Sequence, residues 1–246
     1  MSDDGRGLKF GTVAENYDLY RAAPPAEAAT LVGDLRGLEV LEVGAGTGKL
    51  TRFLLDLGAQ VSVIEPDEEM RRVLLRRSPN VTVLLGRAES IPTEAASFDA
   101  VFSSSAWHWF IQPDATIEMA RVLRDDGTLH VWWNGFSRAD PWWVELTALR
   151  HGGDDTGARA RGWRASLDPD GPFVDVEDFE LHWTWLRTIE ELVAHFRTYS
   201  GAIIRSEADQ RVMANEVRTR LTERFGDGVV PVPMTLRGTT SQRRPR

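Results

Sequence analysis

The chain has 246 residues, a net charge of −8, 42% hydrophobic residues and no cysteine. This length suits one α/β domain with a full core, and the negative charge disfavours non-specific binding to nucleic acid. The sequence contains no run of about 18 apolar residues, so we expect no membrane-spanning helix. Without cysteine there is no disulfide, thiolate zinc site or cysteine nucleophile, and the polar start lacks a signal-peptide pattern, so we expect a cytoplasmic protein.

The first half alternates short runs rich in valine and leucine with helical stretches. A helical stretch at 10–33, broken at Pro24 and Pro25, comes first. The predicted strands are 38–43, 60–65, 81–86, 98–103 and 127–134, and the predicted helices between them are 47–57, 67–77 and 114–124. This alternation is typical of a parallel sheet with right-handed crossovers and helices on both faces.

The pattern loosens after Asn134. Residues 135–172 are rich in Gly, Asp and Trp, which indicates a lid or an insertion. The sequence then predicts a strand at 176–188, helices at 189–204 and 206–225, and a last strand within 229–240. Pro231 and Pro233 predict that this last strand starts at an edge or a bulge, because proline cannot donate to a ladder.

A glycine-rich turn, Glu42-Val43-Gly44-Ala45-Gly46-Thr47-Gly48, lies between the first predicted strand and the first helix. Ligands bind open α/β sheets at this end of the strands; glycine lets them approach the backbone, and amides at a helix start favour an anionic group. The spacing is G-x-G-x-G, which departs from the dinucleotide pattern G-x-G-x-x-G, and Lys49 does not complete a P-loop. Glu65 ends the second strand, where a carboxylate can accept hydrogen bonds from a ribose diol.

Five segments carry a family resemblance, in order and at the expected intervals: VLEVGAGTGKLTRFL, VIEPDEEM, GRAESIP, FDAVFSSSAWHWF and EMARVLRDDGTLHVWWN. Together they resemble a class I S-adenosylmethionine-dependent methyltransferase of the small-molecule branch that includes trans-aconitate and quinone-ring methyltransferases. The resemblance implies a Rossmann-like, doubly wound, mostly parallel seven-stranded sheet with an antiparallel strand near the C-terminus. It also implies one domain over 1–246, with 10–134 binding the cofactor and 135–246 specifying the substrate.

The implied cofactor is S-adenosyl-L-methionine. The residues that the resemblance assigns to it are Tyr17, Arg21, Glu42, Gly44, Ala45, Gly46, Glu65, Pro66, Met70, Ala88, Glu89, Ser104 and Ser105. The turn glycines would approach the methionine part and Glu42 its ammonium, whereas Ala88 and Glu89 would meet the adenine edge. Arg87 stands where many relatives carry Asp, and arginine cannot accept a hydrogen bond from adenine. Arg21 would pair with the cofactor carboxylate or with an acidic substrate.

The acceptor side of the site is implied by the segment after the fourth strand. His108 has a reference pKa near 6.5 and is the candidate catalytic base for a hydroxyl or carboxyl acceptor, or else only orients an aromatic wall. Methyl transfer with a sulfonium leaving group also gains from alignment alone. The residues expected to line the substrate space are Trp107, Trp109, Trp133 and Tyr199, although tryptophan is also ordinary core material.

The predicted activity is therefore methyl transfer to O, N or C of a small molecule. A nicotinamide-dependent reductase is a rival that the glycine spacing disfavours. A binding module or a non-methylating catalyst that keeps the same pocket stays open, and protein or tRNA methylation is a lesser option. The histidines show no ligand spacing that indicates a metal, and the oligomeric state is not predicted.

Overall fold

The computed structural model describes residues 13–151 and 164–245. The helices of this part are α1 (Ala14–Tyr20), α2 (Lys49–Asp56), α3 (Glu68–Arg77), α4 (Asp114–Val122), α5 (Pro141–Ala148), α6 (Ile189–Arg197), α7 (Ser200–Ile203) and α8 (Glu207–Phe225). Its strands are β1 (Glu39–Val43), β2 (Gln60–Ile64), β3 (Thr82–Val83), β4 (Phe98–Ser104), β5 (Leu123–Phe136), β6 (Phe173–Arg187) and β7 (Val230–Arg243). Short 3₁₀ helices lie at Ala26–Leu31, Trp107–Trp109 and Leu149–His151. No helix in the described ranges is long and apolar enough to cross a membrane.

The strands form one seven-stranded sheet in the order β3-β2-β1-β4-β5-β7-β6. Strands β3, β2, β1, β4 and β5 pair in parallel, each with its neighbour in that order. On β7, Thr240 meets His130 and Arg243 meets Asp125, so β7 runs opposite to β5. The predicted Rossmann-like α/β sheet with an antiparallel strand near the C-terminus is confirmed.

Several element boundaries differ from the predictions. Of the stretch at 10–33, residues 10–12 lie outside the described part, and the rest gives α1 and a 3₁₀ helix, because the chain is extended at Arg21 and at Pro25. The strand predicted at 81–86 is reduced to β3, and the helix predicted at 189–204 is divided into α6 and α7. Within 135–172, the described part contains α5, whose N-cap Asp140 accepts from the amide of Trp142; residues 152–163 lie outside the described part.

Of the two positions predicted for the start of the last strand, the edge is wrong, since β7 lies between β5 and β6, and the bulge stays a prediction. Proline lacks only the amide donor, and its carbonyl still enters the ladder. The carbonyl of Pro233 accepts a hydrogen bond from the amide of Ser137 at 2.8 Å. Both prolines are therefore compatible with an interior strand at its first residues.

The chain divides into two compact units, each built from separate segments. The first unit contains residues 23–134, 164–181 and 236–245. One of its cores gathers apolar residues of β1, β4, β5 and α4, such as Val101, Met119 and Leu129, which are fully buried. A second core lies around α2 and β2 and includes Leu54, Val63 and Trp132.

The second unit contains residues 13–22, 135–151 and 182–235. Its core is formed mainly by α6 and α8, with Leu192, Phe196 and Val217 fully buried. A capping box at Thr188 fixes the start of α6, because its hydroxyl accepts from the amide of Glu191 and the Glu191 carboxylate accepts in return.

Candidate active site

The glycine turn joins the end of β1 to the start of α2 and is tied to the end of β2 by its own amides. The amides of Gly44 and Ala45 donate to the carbonyl of Ile64 at 2.8 and 3.1 Å. The amide of Gly46 donates to Oε2 of Glu65 at 2.7 Å. These three amides are bonded inside the protein. The expectation that amides at the helix start favour an anionic group concerns residues that follow them and stays a prediction.

Gly44 and Gly46 serve the turn in different ways. Both have positive φ values, +77° and +57°, which residues with a side chain adopt at a cost. A Cβ on Gly44 would lie 2.5 Å from Cβ of Ala106, so Gly44 allows the loop after β4 to approach. A Cβ on Gly46 would meet no atom of the described residues within 4 Å. Gly46 therefore borders open space at the carboxyl edge of the sheet.

Glu65 directly follows β2 and is held by the backbone on both carboxylate oxygens. Oε2 accepts from the amide of Gly46 and Oε1 from the amide of Asp67, at 2.7 and 2.9 Å. Burial raises the pKa of Glu65 above its usual value, and the two amides oppose that rise. A carboxylate offers about four acceptor positions. The fixed carboxylate thus retains capacity for two further donors, such as the two hydroxyls of a ribose.

Glu42 lies beneath the turn, with only 1% of its surface exposed. The hydroxyl of Thr51 on α2 donates to its Oε2 at 2.5 Å. Burial raises the pKa of Glu42 to about 8, and the neighbouring charge of Glu65 adds to the rise, while Thr51 and Arg52 oppose it. In the ligand-free protein Glu42 is therefore mostly protonated at neutral pH.

This raised pKa predicts a pH-dependent stability. The protonated Glu42 stabilises the fold below the unfolded-state value of 4.5, and that contribution is lost as pH rises toward about 8. Each pH unit in this window costs about 1.4 kcal/mol from Glu42 alone. We expect Glu42→Gln, which stays neutral and can still bond Thr51, to raise the free energy of unfolding by a few kcal/mol near pH 9. Near pH 5 the difference in the free energy of unfolding between Glu42→Gln and the wild type should be small. Urea unfolding at both pH values measures this difference. An equal difference at both pH values would contradict the raised pKa of Glu42.

The segment after β4 brings aromatic residues to the same edge of the sheet. Ser104 and Ser105 are partly exposed, and Ser105 has a φ of +57°, with its amide bonded to the carbonyl of Trp132. Trp107 is buried in the core with 6% exposure, whereas His108 is exposed and its ring lies 4.6 Å from that of Trp109. The structure thus places Trp107 mainly in the core and leaves His108 accessible.

Phe110 was not predicted as a site residue, yet it lies against the turn. Its Cζ atom would be 3.4 Å from a Cβ on Gly44, and its ring meets that of Trp107 at 6.0 Å. The sequence signal was its place in the run Trp107–Phe110, but only the folded loop shows which of these rings covers the glycine. Ile111 follows with 53% exposure.

The predicted adenine side of the site is formed by the starts of α3 and of the segment after β3. Met70 and Ala88 are buried with 4% exposure, whereas Pro66 is exposed. The amide of Ile111 donates a hydrogen bond to Oε1 of Glu89 at 2.8 Å, which ties two loops together. Exposed Leu85, at 76%, is a further apolar residue here that the sequence did not single out.

Three other predicted residues lie together in the second unit. The guanidinium carbon of Arg21 is 5.1 Å from the ring centroid of Tyr17 and 3.6 Å from that of Tyr199. Arg21 also donates to the hydroxyl and the carbonyl of Thr198, at 2.9 and 3.1 Å. Trp133, a predicted substrate residue in the first unit, is a core residue with 6% exposure.

A doubly wound sheet with a glycine turn after β1 and a carboxylate after β2 is typical of Rossmann-like enzymes that bind a ribose-containing cofactor. A family model described as a methyltransferase domain matches residues 41–131. An uncharacterized methyltransferase of Mycobacterium tuberculosis is 36% identical over 186 residues, covering 76% of this chain and 74% of that protein. An uncharacterized methyltransferase-like protein of Schizosaccharomyces pombe is 31% identical over 198 residues, covering 78% and 77%. The chain belongs to this family of methyltransferases.

Solved structures share the fold at low sequence identity. A candidate type II methyltransferase from Anaeromyxobacter dehalogenans superposes with a TM-score of 0.65 at 23% identity, covering 92% of this chain and 98% of that one. Phosphoethanolamine N-methyltransferase 2 of Haemonchus contortus, in complex with phosphomonomethylethanolamine and S-adenosylhomocysteine, gives a TM-score of 0.55 at 15% identity. It covers 96% of this chain and 58% of that one.

Proposed function

We propose that this enzyme transfers the methyl group of S-adenosyl-L-methionine to O, N or C of a small molecule, as in the branch that includes trans-aconitate and quinone-ring methyltransferases. The observation that carries the proposal is Glu65, fixed by two backbone amides at the end of β2 with acceptor capacity remaining. Open space beside Gly46 is available for a ligand that approaches the turn. These features fit a ligand with a ribose at Glu65.

The same geometry disfavours a nicotinamide dinucleotide. A dinucleotide pyrophosphate is bound by unoccupied amides at the turn and the helix start. The amides of Gly44, Ala45 and Gly46 are all bonded within the protein, and the amide of Gly48 donates to Ala45. The turn is therefore suited to a ligand that packs against glycine rather than to a diphosphate.

The roles of the remaining residues follow from their positions. S-Adenosylmethionine, when bound, supplies a methyl group activated by its sulfonium. Glu65 would accept from the ribose hydroxyls, and Glu42 would attract the ammonium of the amino-acid end. Pro66, Met70 and Ala88 would flank the adenine, and Glu89 retains one oxygen for its amine. Ser104 and Ser105 would border the sulfonium side.

The acceptor side is proposed from the loop after β4. His108 would take the proton of a hydroxyl acceptor, and Trp107, Trp109 and Trp133 would exclude water from the acceptor space. Residues 135–246 would specify the acceptor. With no cysteine in the chain, a reducing, cytoplasmic location is the one we propose.

Binding and product analysis test the proposal. Titration calorimetry with S-adenosylhomocysteine should show binding, and NAD(P) should show none. A screen of small molecules with a labelled methyl donor should then yield a labelled product. Binding without any methylated product across the screen would favour a binding module or a non-methylating catalyst, and binding of NAD(P) alone would favour a reductase.

Replacing Glu65 tests the ribose contact. Hydrogen bonds to charged groups contribute about 1.5–3 kcal/mol each, so Glu65→Ala should weaken S-adenosylhomocysteine binding at least about tenfold. The wild type should also lose affinity for the 2′-deoxy analogue, whereas the variant should bind both forms equally weakly. If Glu65→Ala only loosened the turn, the variant would still bind S-adenosylhomocysteine more tightly than its 2′-deoxy analogue. Such a preference in the variant would show that the ribose is held by other residues.

A further inference from the structure

The loop at residues 86–93, which follows β3, carries the two residues proposed to meet the adenine edge, Ala88 and Glu89. These two residues form the tip of a tight turn. The amides of Arg87 and Ser90 each donate to the carbonyl of the other, at 3.3 and 3.1 Å. The position of the Glu89 carboxylate therefore depends on what holds this short turn in place.

An acid and a base on α4 hold the far end of the loop. The guanidinium of Arg121 donates from Nη2 to the carbonyl of Ile91 at 2.8 Å and from Nη1 to the carbonyl of Thr93 at 2.9 Å. The amide of Ile91 donates to Oε2 of Glu118 at 2.9 Å. We call Glu118 and Arg121 the α4 clamp. Its two side chains bind three backbone groups of the loop, all within the first unit.

The α4 clamp is ordered without any ligand. Nε and Nη2 of Arg121 donate to Oε1 and Oε2 of Glu118 at 2.7 and 2.9 Å, which is the planar two-bond geometry of an arginine–carboxylate pair. The bond from Arg121 lowers the pKa of Glu118 below its usual value, so the carboxylate is charged at neutral pH. Between and after these residues, Met119 and Val122 are fully buried and fix α4 in the core. A rigid helix therefore sets the place of the loop.

We propose that Arg121 and Glu118 are positioning residues that place Glu89 to accept a hydrogen bond from the adenine amine. The amide of Ile111 holds Oε1 of Glu89 at 2.8 Å, so the turn is fixed between this bond and the α4 clamp. A loop that is already ordered loses less conformational entropy when a ligand binds, and its contacts are made at the right distance. The inference rests on the proposed function, since it needs an adenine at Glu89.

The affinities of two ligands test this role. The ligands are S-adenosylhomocysteine and its desamino analogue, whose purine carries a hydrogen atom in place of the exocyclic amine. The wild type should prefer S-adenosylhomocysteine at least about tenfold, because the analogue cannot donate to the Glu89 carboxylate. In Arg121→Gln, which frees the loop, this preference should largely disappear. Titration calorimetry measures both affinities in each protein.

Three further variants separate positioning from general loss of stability. Arg124→Gln is the matched control, because it removes the pair of Arg124 with Asp99, an arginine–carboxylate pair of the same unit that lies outside the loop. It should keep the preference, whereas Glu89→Ala should lose it. Arg121→Lys serves if Arg121→Gln does not fold. One ammonium cannot reproduce the fork that reaches two carbonyls and a carboxylate, so the preference should again disappear.

Hydrogen exchange of the ligand-free proteins gives a second readout. The amides of residues 87–93 should exchange faster in Arg121→Gln than in the wild type and in Arg124→Gln. Faster exchange together with a lost preference supports the proposal. A preference that Arg121→Gln retains, or exchange that stays unchanged, overturns it, as does a wild type that binds both ligands alike. If the wild type binds neither ligand, the proposed function fails. Faster exchange confined to Arg121→Gln then still supports the α4 clamp, and equal exchange overturns it.

Discussion

We expect Gly46→Val to reduce the affinity for S-adenosylhomocysteine by at least about a hundredfold, which corresponds to about 2.7 kcal/mol. Within the part of the chain that the structure describes, a Cβ at this position meets no atom within 4 Å, so the new side chain would fill the space beside the turn where the ligand is proposed to bind. The amide of residue 46 remains available to Glu65. Titration calorimetry of the variant measures the loss.

Gly33→Val is the matched control for this variant. Gly33 has a φ of +70°, and a Cβ there also meets no atom of residues 13–151 and 164–245 within 4 Å. Both substitutions therefore carry the same kind of backbone strain, about 1–2 kcal/mol. We expect both variants to melt at similarly lowered temperatures, while only Gly46→Val loses the ligand. Equal ligand affinity in the two variants would show that the turn is not the binding site.

We expect His108→Ala to lower turnover by roughly 10²–10⁴, the range typical of a lost general base, if the acceptor found in the screen is a hydroxyl. His108 is exposed at the 3₁₀ helix Trp107–Trp109, which directly follows the sheet edge of the proposed cofactor site. Affinity for S-adenosylhomocysteine should change little, because the ring would face the acceptor. The acid limb of the pH–rate profile should disappear in the variant.

His108→Asn separates a base from an orienting residue. Asparagine can keep a hydrogen bond but cannot take a proton at neutral pH, so a base predicts that both variants are slow. If His108 only supports the ring of Trp109, 4.6 Å away, His108→Asn should retain most of the activity and the acid limb. Near wild-type turnover of His108→Asn would exclude the base and leave alignment of the reactants as the source of the rate.

The fold was predictable from local patterns because the short parallel strands carry their own signal. The predicted strand at 60–65 contains β2, and the predicted strand at 98–103 nearly coincides with β4. The errors occur where partners decide the outcome. The run 81–86 is as apolar as its neighbours, yet β3 keeps only Thr82 and Val83, which pair with Ser62 and Val63. Strand length there depends on how much of β2 is available, and no local pattern records that.

The candidate site was predictable to a different degree at each residue. Gly46 and Glu65 could be paired in advance, since strand ends meet at one edge of a parallel sheet. The hydrogen bond between them could not, because it depends on the register of β1 with β2. For the same reason, no local pattern indicates that the amides of Gly44, Ala45 and Gly46 are bonded within the protein. Leu85 was missed because exposure, rather than residue type, marks it, and Phe110 because only its short distance from Gly44 marks it.

The sequence by itself determined the class of this protein. The features that did so are the order of strands and helices, the glycine turn and Glu65, which follows β2. These features are local, since a turn spacing and a strand end need only neighbouring residues. Only the tertiary structure decided where charge resides. Burial beneath the turn raises the pKa of Glu42 to about 8. Burial also lowers the pKa of His195, and the charges of Arg21, Arg150 and Arg187, which are distant from one another in sequence, lower it further. Such effects depend on desolvation and on distances between charges, which chain order does not contain.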